Sequence, residues 1–230
     1  MSAHCGAHRD RTRVGSAGLP VKRHMPSGGP LGLLLRLVCR VRIRHRQPWE
    51  QRPVVVVCNH VSYLDGLLVA AFLAPGRPLT FAITGDFTEH EPWRSALRAL
   101  RWLGYGDWCT LDPDRPQGVR QLVQRARQGP VVIFPEGGLS PDGTLQPLAP
   151  GVAAVVHHAR VPVIPVHITG TERSRFARVS GPKAWRPRVT LSVGHPVWLV
   201  VPEGTGRALL PRLQALLASA AGGVEPCEMR

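Results

Sequence analysis

An α/β domain with a mostly parallel central sheet flanked by helices is the fold class this 230-residue sequence predicts. Three observations carry that expectation. Short apolar runs alternate with helical patterns of about ten to fifteen residues. One run, "PVVVV" at Pro53–Val57, is β-branched throughout, the mark of a strand covered on both faces. And two of the runs empty into polar islands, "NHVSYLD" and "FPEGG".

Pro30 to Val38 reads as a short helix with leucines on more than one face, and "RVRIRHR", Arg40 to Arg46, alternates like an edge strand. The valine strand follows, then a helix in "LDGLLVAAFLA" ended by "PGRP", then a strand in "LTFAIT". "EPWRSALRALRWLG" is an amphipathic helix, with Pro92 tolerated in its first turn and Gly104 past its end. "GDWCTLDPD" is a strand and turn, Pro116 to Gln128 an Arg-rich helix, and "PVVIFPEGG" a strand running into a turn. "APGVAAVVHHARV" is a helix in which the His157–His158 pair is partly exposed rather than a ligand site. "PVIPVHIT" and "PRVTLSVGHPVWL" are the last strands, and Glu203 to Ala220 closes the domain as a helix. Pro162 and Pro165 inside an apolar strand point to an edge, a bulge or a strand start. No internal repeat or long linker divides the chain, so residues 1–29 are expected as a disordered basic leader, 30–220 as one domain and 221–230 as a frayed tail.

The net charge is +14, and +9 of it lies in Met1–Arg52, where eleven Arg and Lys side chains face only Asp10 and Glu50. Such a front end is drawn to anionic surfaces. A nucleic acid is not the expected partner, because no recognition motif is present and the basic residues are not interleaved with aromatics. No segment reads as a membrane span: "LGLLLRLVCRV" is half of the roughly 20 residues required and contains Arg36 and Arg40. No secretory signal is legible at the start. Five cysteines without a C-x-x-C spacing argue against a disulfide framework or structural zinc and for a reducing compartment. A cytoplasmic protein resting on the inner face of a membrane is the expectation, with no metal.

His60 and Asp65 stand five apart, about 140° round a helix axis, so they cannot meet on one regular helix. They can meet if His60 lies in the loop leaving the valine strand and Asp65 in the first turn of the next helix, where positive potential favours a carboxylate. An aspartate bonded to one imidazole nitrogen leaves the other free as a base. A bare H-x4-D more often marks a capped turn. Ser62 lacks a G-x-S-x-G elbow and reads as a turn hydroxyl. "VVIFPEGGLSPDGTL" repeats the strand-to-turn logic. Its glycines let backbone amides approach an oxyanion, and Glu136 could bond those amides or a substrate hydroxyl. Both islands follow strands, so both can open at the same ligand-binding edge of a parallel sheet. Arg115, in "TLDPDR", is a candidate phosphate contact at that edge.

Together and in this order, "NHVSYLD", "GDWCTLDP", "FPEGG" and "VPVIP" resemble the four sequence blocks of the glycerolipid (lysophospholipid) acyltransferase family, over about Pro30 to Leu199. The resemblance implies that family's single-domain α/β fold, with His60 as catalytic base, Asp65 as its orienting partner, and substrate binding at Asn59, Phe134, Pro135, Glu136, Gly137 and Gly138. It implies a lysophospholipid acceptor and a long-chain acyl thioester donor, on coenzyme A or acyl carrier protein, with no further cofactor. The wording of "LDPDRP", "QGPVVIFPEG" and "VIPVHITG" is similar to the acyltransferase domain of bacterial 2-acylglycerophosphoethanolamine acyltransferases. Two departures stand out. Pro113 occupies the place where many members carry an arginine in the second block. The arginine usual just past the third block's glycine is missing, with Gly138 and Leu139 there instead.

Overall fold

A computed structural model describes residues 29–44, 53–73, 79–84, 91, 93–111, 116–199 and 206–222. Residues 1–28 of the expected leader and most of the expected tail lie outside these residues, and so does Arg115; Gly29 belongs to the first helix.

Helix α1 (Gly29–Val38) runs into strand β1 (Arg40–Arg44). Strand β2 (Val54–Cys58) leads to helix α2 (Leu64–Phe72) and strand β3 (Thr80–Thr84). Helix α3 (Trp93–Trp102) precedes strand β4 (Asp107–Leu111), and helix α4 (Pro116–Gln128) precedes strand β5 (Pro130–Ile133). Helix α5 (Pro150–Ala159), strand β6 (Val163–Thr169), strand β7 (Arg188–Val193) and helix α6 (Leu209–Gly222) complete the chain.

The seven strands form one sheet in the order β1-β7-β6-β2-β5-β3-β4. All pairings are parallel except β6 with β7. The mostly parallel sheet expected from the alternating pattern is therefore present, with β1 and β7 running against the other five strands. All five residues of β2 are buried, as a β-branched run covered on both faces requires. Val54, Val56 and Cys58 pack under α1 and α2, whereas Val55 and Val57 pack under α4, α5 and α6. Each fully buried valine contributes roughly 1.5–3 kcal/mol relative to exposure.

Of the edge, bulge or strand start expected at Pro165, the bulge is what is found. β6 is an interior strand, Pro165 pairs with Val57 of β2 in register, and the antiparallel pairing slips by one residue between Val166–Val193 and Val163–Val197. The odd positions of β6 turn their backbone toward β7, whose ladder ends at the Val166–Val193 pair. Beyond it the Gly194 N–H donates to the Pro165 carbonyl at 2.8 Å, and the missing proline N–H falls where the ladder is interrupted before it resumes at Val163–Val197. Gly194 belongs there because a Cβ would come 2.6 Å from the Pro165 ring. At the other end of β6, Gly170 turns the chain out with φ +90°, and a Cβ there would collide with the Arg188 carbonyl.

One feature of topology positions the site. β2 and β5 are neighbours, yet the helix following β2 lies on one face of the sheet and the helix following β5 on the other. Adjacent strands whose connections part in this way leave a crevice at their carboxyl ends. His60 and Glu136 stand there.

Candidate active site

Chain leaving β2 carries Asn59, which is buried. Its amide closes on the backbone of β6, donating from Nδ2 to the Ile168 carbonyl at 2.9 Å and accepting the Ile168 N–H at Oδ1 at 2.7 Å. The side chain thus continues the β2–β6 ladder one step past the end of β2. Asn59, read from sequence as a substrate contact, holds the floor of the crevice in this geometry.

His60 follows in the loop and Asp65 is the second residue of α2, the arrangement that lets residues five apart meet. The Asp65 Oδ2 lies 3.2 Å from His60 Nδ1 and accepts the Val61 and Ser62 N–H groups at 2.7 Å each. Asp65 is wholly buried, while the His60 side chain keeps 17% exposure. With three donors converging on Oδ2, the carboxylate selects the tautomer with hydrogen on Nδ1, so the free electron pair is on Nε2. Among the described residues Nε2 has no hydrogen-bond partner. The other Asp65 oxygen, Oδ1, is buried without one as well.

The second island locks the same histidine. Glu136 Oε1 accepts the His60 N–H at 2.6 Å, and Oε2 accepts the Gln146 N–H at 2.9 Å. The His60 carbonyl accepts the Ser140 N–H at 2.7 Å, so both backbone polar groups of His60 are bound to the segment after β5. Phe134 stacks on the imidazole with ring centroids 4.2 Å apart and 26° between planes. Pro135 is buried, and its carbonyl accepts the Ala149 N–H at 2.7 Å at the start of α5. Burial pushes the Glu136 carboxyl above its ordinary value, opposed by the amides of Gln146 and His60. Glu136 was read as a partner for backbone amides or for a substrate hydroxyl; the amides it holds belong to His60 and Gln146.

Gly137 adopts φ +73°, closing the turn with its N–H on the Phe134 carbonyl at 3.2 Å. A Cβ on Gly137 or Gly138 would meet nothing within 4 Å, so the turn faces open space. Neither Cys58 nor Ser62 is placed to act as a nucleophile. The Cys58 thiol is buried, and desolvation with the Asp65 charge holds it well above its ordinary pKa. Ser62 is also buried; its Oγ lies 3.0 Å from Ser174 Oγ and accepts the Leu64 N–H at 3.3 Å.

Ser140, Gln146 and Ser174 carry no motif that singles them out in the sequence. The Ser62–Ser174 bond crosses 112 positions, Ser140 meets His60 from beyond β5, and Gln146 reaches Glu136 across 10 positions of irregular chain, and no local pattern encodes such pairings.

A buried carboxylate bonded to an imidazole whose Nε2 is unengaged, at the carboxyl ends of parallel strands, is an arrangement that can accept a proton at Nε2. The Acyltransferase family model matches residues 40–169, from β1 through β6, and the chain belongs to that family. A chloroplastic 1-acyl-sn-glycerol-3-phosphate acyltransferase of Brassica napus is 30% identical over 128 residues, covering 54% of this chain and 35% of that protein. The 1-acyl-sn-glycerol-3-phosphate acyltransferase of Saccharomyces cerevisiae is 22% identical over 139 residues, 60% of this chain and 45% of the yeast protein. This chain thus spans less than half the length of either relative. The fold is shared with the crystal structure of the 1-acyl-sn-glycerophosphate acyltransferase PlsC of Thermotoga maritima, with a TM-score of 0.61 and 21% identity over 84% of this chain and 76% of that one.

Proposed function

We propose that this chain transfers a long-chain acyl group from a thioester, on coenzyme A or acyl carrier protein, to the free hydroxyl of a lysophospholipid. The observation that carries the proposal is the pairing of a half-buried His60, its Nε2 unengaged, with a fully buried Asp65. His60 Nε2 takes the hydroxyl proton as the oxygen attacks the thioester carbonyl, and Asp65 stabilises the imidazolium that forms. The tetrahedral intermediate collapses by breaking the C–S bond, and the imidazolium returns the proton to the leaving thiolate. No acyl-enzyme is required. Phe134, Glu136 and Ser140 hold the imidazole and its backbone. The Gly138 N–H, exposed and free of any hydrogen bond among the described residues, is the candidate donor to the oxyanion.

The acceptor is a lysophosphatidate or a related lysophospholipid, as the names of the relatives support; the phosphoethanolamine-bearing acceptor suggested by the motif wording is the specific alternative within that class. The reaction takes place at an anionic membrane surface from the cytoplasmic side. Supporting this, Leu33, Leu34 and Leu37 of α1 are 57–66% exposed. The Tyr105 hydroxyl accepts the Leu31 N–H at 2.8 Å, bringing the turn with exposed Trp102 and Leu103 beside the start of α1. Exposed apolar side chains on a helix that also carries an arginine suit an interfacial position. Among the described residues no helix is long and apolar enough to cross a bilayer.

The test is a radiolabelled acyl thioester incubated with a panel of lysolipids, wild type beside His60→Ala. Phospholipid product from wild type alone is the expected result. Equal product from both proteins would remove His60 as base, and free fatty acid formed without acceptor would identify a thioesterase instead.

A further inference from the structure

Between Thr169 and Arg188 the chain runs through residues 170–187 with one short 3-10 turn, Thr171–Arg173, as its only helix. Connections this long without regular structure are uncommon in compact domains and are most often functional. The family match ends at Thr169, so this strap is not covered by it. Its composition is one-sided: Arg173, Arg175, Arg178, Lys183 and Arg186 accompany the single acid Glu172.

The strap is fastened to the turn that carries the base. Ser174 is buried against Ser62 through their hydroxyls, Ala177 forms a β-bridge with Ser62, and the Tyr63 N–H donates to the Phe176 carbonyl at 3.2 Å. Residues 62 and 63 lie midway between His60 and Asp65. Three of the five cations are engaged elsewhere, and a fourth, Arg173, is exposed and makes no side-chain hydrogen bond to the turn that carries the base among the described residues. Arg186 donates to the Arg36 carbonyl, Lys183 to carbonyls within the strap, and the Arg175 guanidinium lies 4.1 Å from the centroid of the Trp185 ring. Arg178 is different. Its Nη2 donates to the Tyr63 hydroxyl at 3.0 Å, and it has no carboxylate partner among the described residues. A phenol orients a guanidinium without neutralising it, and most of the guanidinium's N–H groups remain free for an anion.

We propose that Arg178, seated on Tyr63, binds the phosphate of the acceptor lipid at the rim of the His60 crevice and so determines which lysolipids are used. The inference rests on the acyl-transfer reading above and adds a specificity residue to it. Arg178 is bonded to the turn that joins His60 to Asp65, whereas the Gly137–Gly138 turn carries no cation of its own. Arginine suits the task because its fork matches phosphate oxygens, whereas a lysine would act as a point charge.

Steady-state kinetics test it with Arg178→Ala, Arg178→Lys and Tyr63→Phe, lysophosphatidate as first acceptor and lysophosphatidylethanolamine as second, each substrate varied separately. Loss of one charge-assisted contact predicts that Arg178→Ala raises the KM for the preferred phosphate-bearing acceptor by about tenfold or more. The donor KM should stay unchanged, Arg178→Lys should recover part of the loss, and Tyr63→Phe should produce a smaller rise. Direct binding of lysophosphatidate to His60→Ala and to His60→Ala/Arg178→Ala should differ by a similar factor. An unchanged acceptor KM, or a rise confined to the donor, would overturn the assignment while leaving acyl transfer intact. A wild type that transfers to no lysolipid, or only to phosphate-free acceptors, would overturn it as well; only the first of these results would also remove the acyl-transfer reading. Arg178 is exposed, so unchanged thermal unfolding of the variants separates loss of binding from loss of fold.

Discussion

The Glu136 carboxylate holds the backbone of His60: Oε1 accepts the His60 N–H at 2.6 Å across 76 positions of sequence. The two polar islands are therefore one device, in which the turn after β5 fixes the main chain of His60, the proposed base. Charge-assisted hydrogen bonds of this kind are the strong ones in a protein.

Replacing Glu136 by Gln separates the two roles open to it. Glutamine offers one acceptor oxygen and sets an NH2 group against the second amide, donor facing donor. The expected outcome is a loss of about 1–3 kcal/mol in stability and a fall in kcat as His60 shifts. Chemical denaturation and initial rates check it. A variant as stable as wild type, with only a raised acceptor KM, would return Glu136 to a direct substrate contact.

Asp65→Asn should reduce kcat by roughly 10²–10⁴ with little change in KM, because the amide no longer selects the productive imidazole tautomer or balances the imidazolium. Asp65→Ala adds a structural penalty. The Val61 and Ser62 N–H groups lose their shared acceptor inside the protein, at about 1–3 kcal/mol for each donor left unsatisfied. Comparing the two variants by rate and by thermal unfolding distinguishes chemistry from scaffolding.

Stability should depend on pH through His167 on β6, whose Nδ1 is buried without a partner. Burial lowers its pKa from 6.5, only partly offset by Glu172. The unfolded chain therefore binds this proton more readily than the native protein, and stability rises with pH across the interval between the two values. The contribution is full above 6.5 and is lost as pH falls from there toward the lower native pKa. Unfolding curves over that range should show the slope, and His167→Gln should flatten it.

Deleting α1 and β1 is not a clean test of membrane contact, because Leu35 and Cys39 are core residues and β1 pairs with β7 along its whole length. Leu33→Ser combined with Leu37→Ser alters only exposed positions. Sedimentation with anionic vesicles should recover less of this variant than of wild type, while its thermal unfolding is unchanged. Equal recovery would exclude α1 as the contact.

Periodicity and composition alone were enough to place seven strands, the helices between them and the mostly parallel sheet, because each rests on local repetition: β-branched runs for buried strands, apolar faces for helices. The order of His60 and Asp65 around a strand-to-helix turn was legible for the same reason. Tertiary structure alone decided that Asn59 closes on Ile168, that Glu136 and Ser140 grip the two ends of the His60 peptide, that Pro165 lies inside a central strand, and that Arg178 stands on Tyr63. A polar side chain in a loop advertises that it can form hydrogen bonds, not with whom. Its partner is chosen when the sheet brings chain segments far apart in sequence to one edge, and no spacing between residues in the linear chain records that choice.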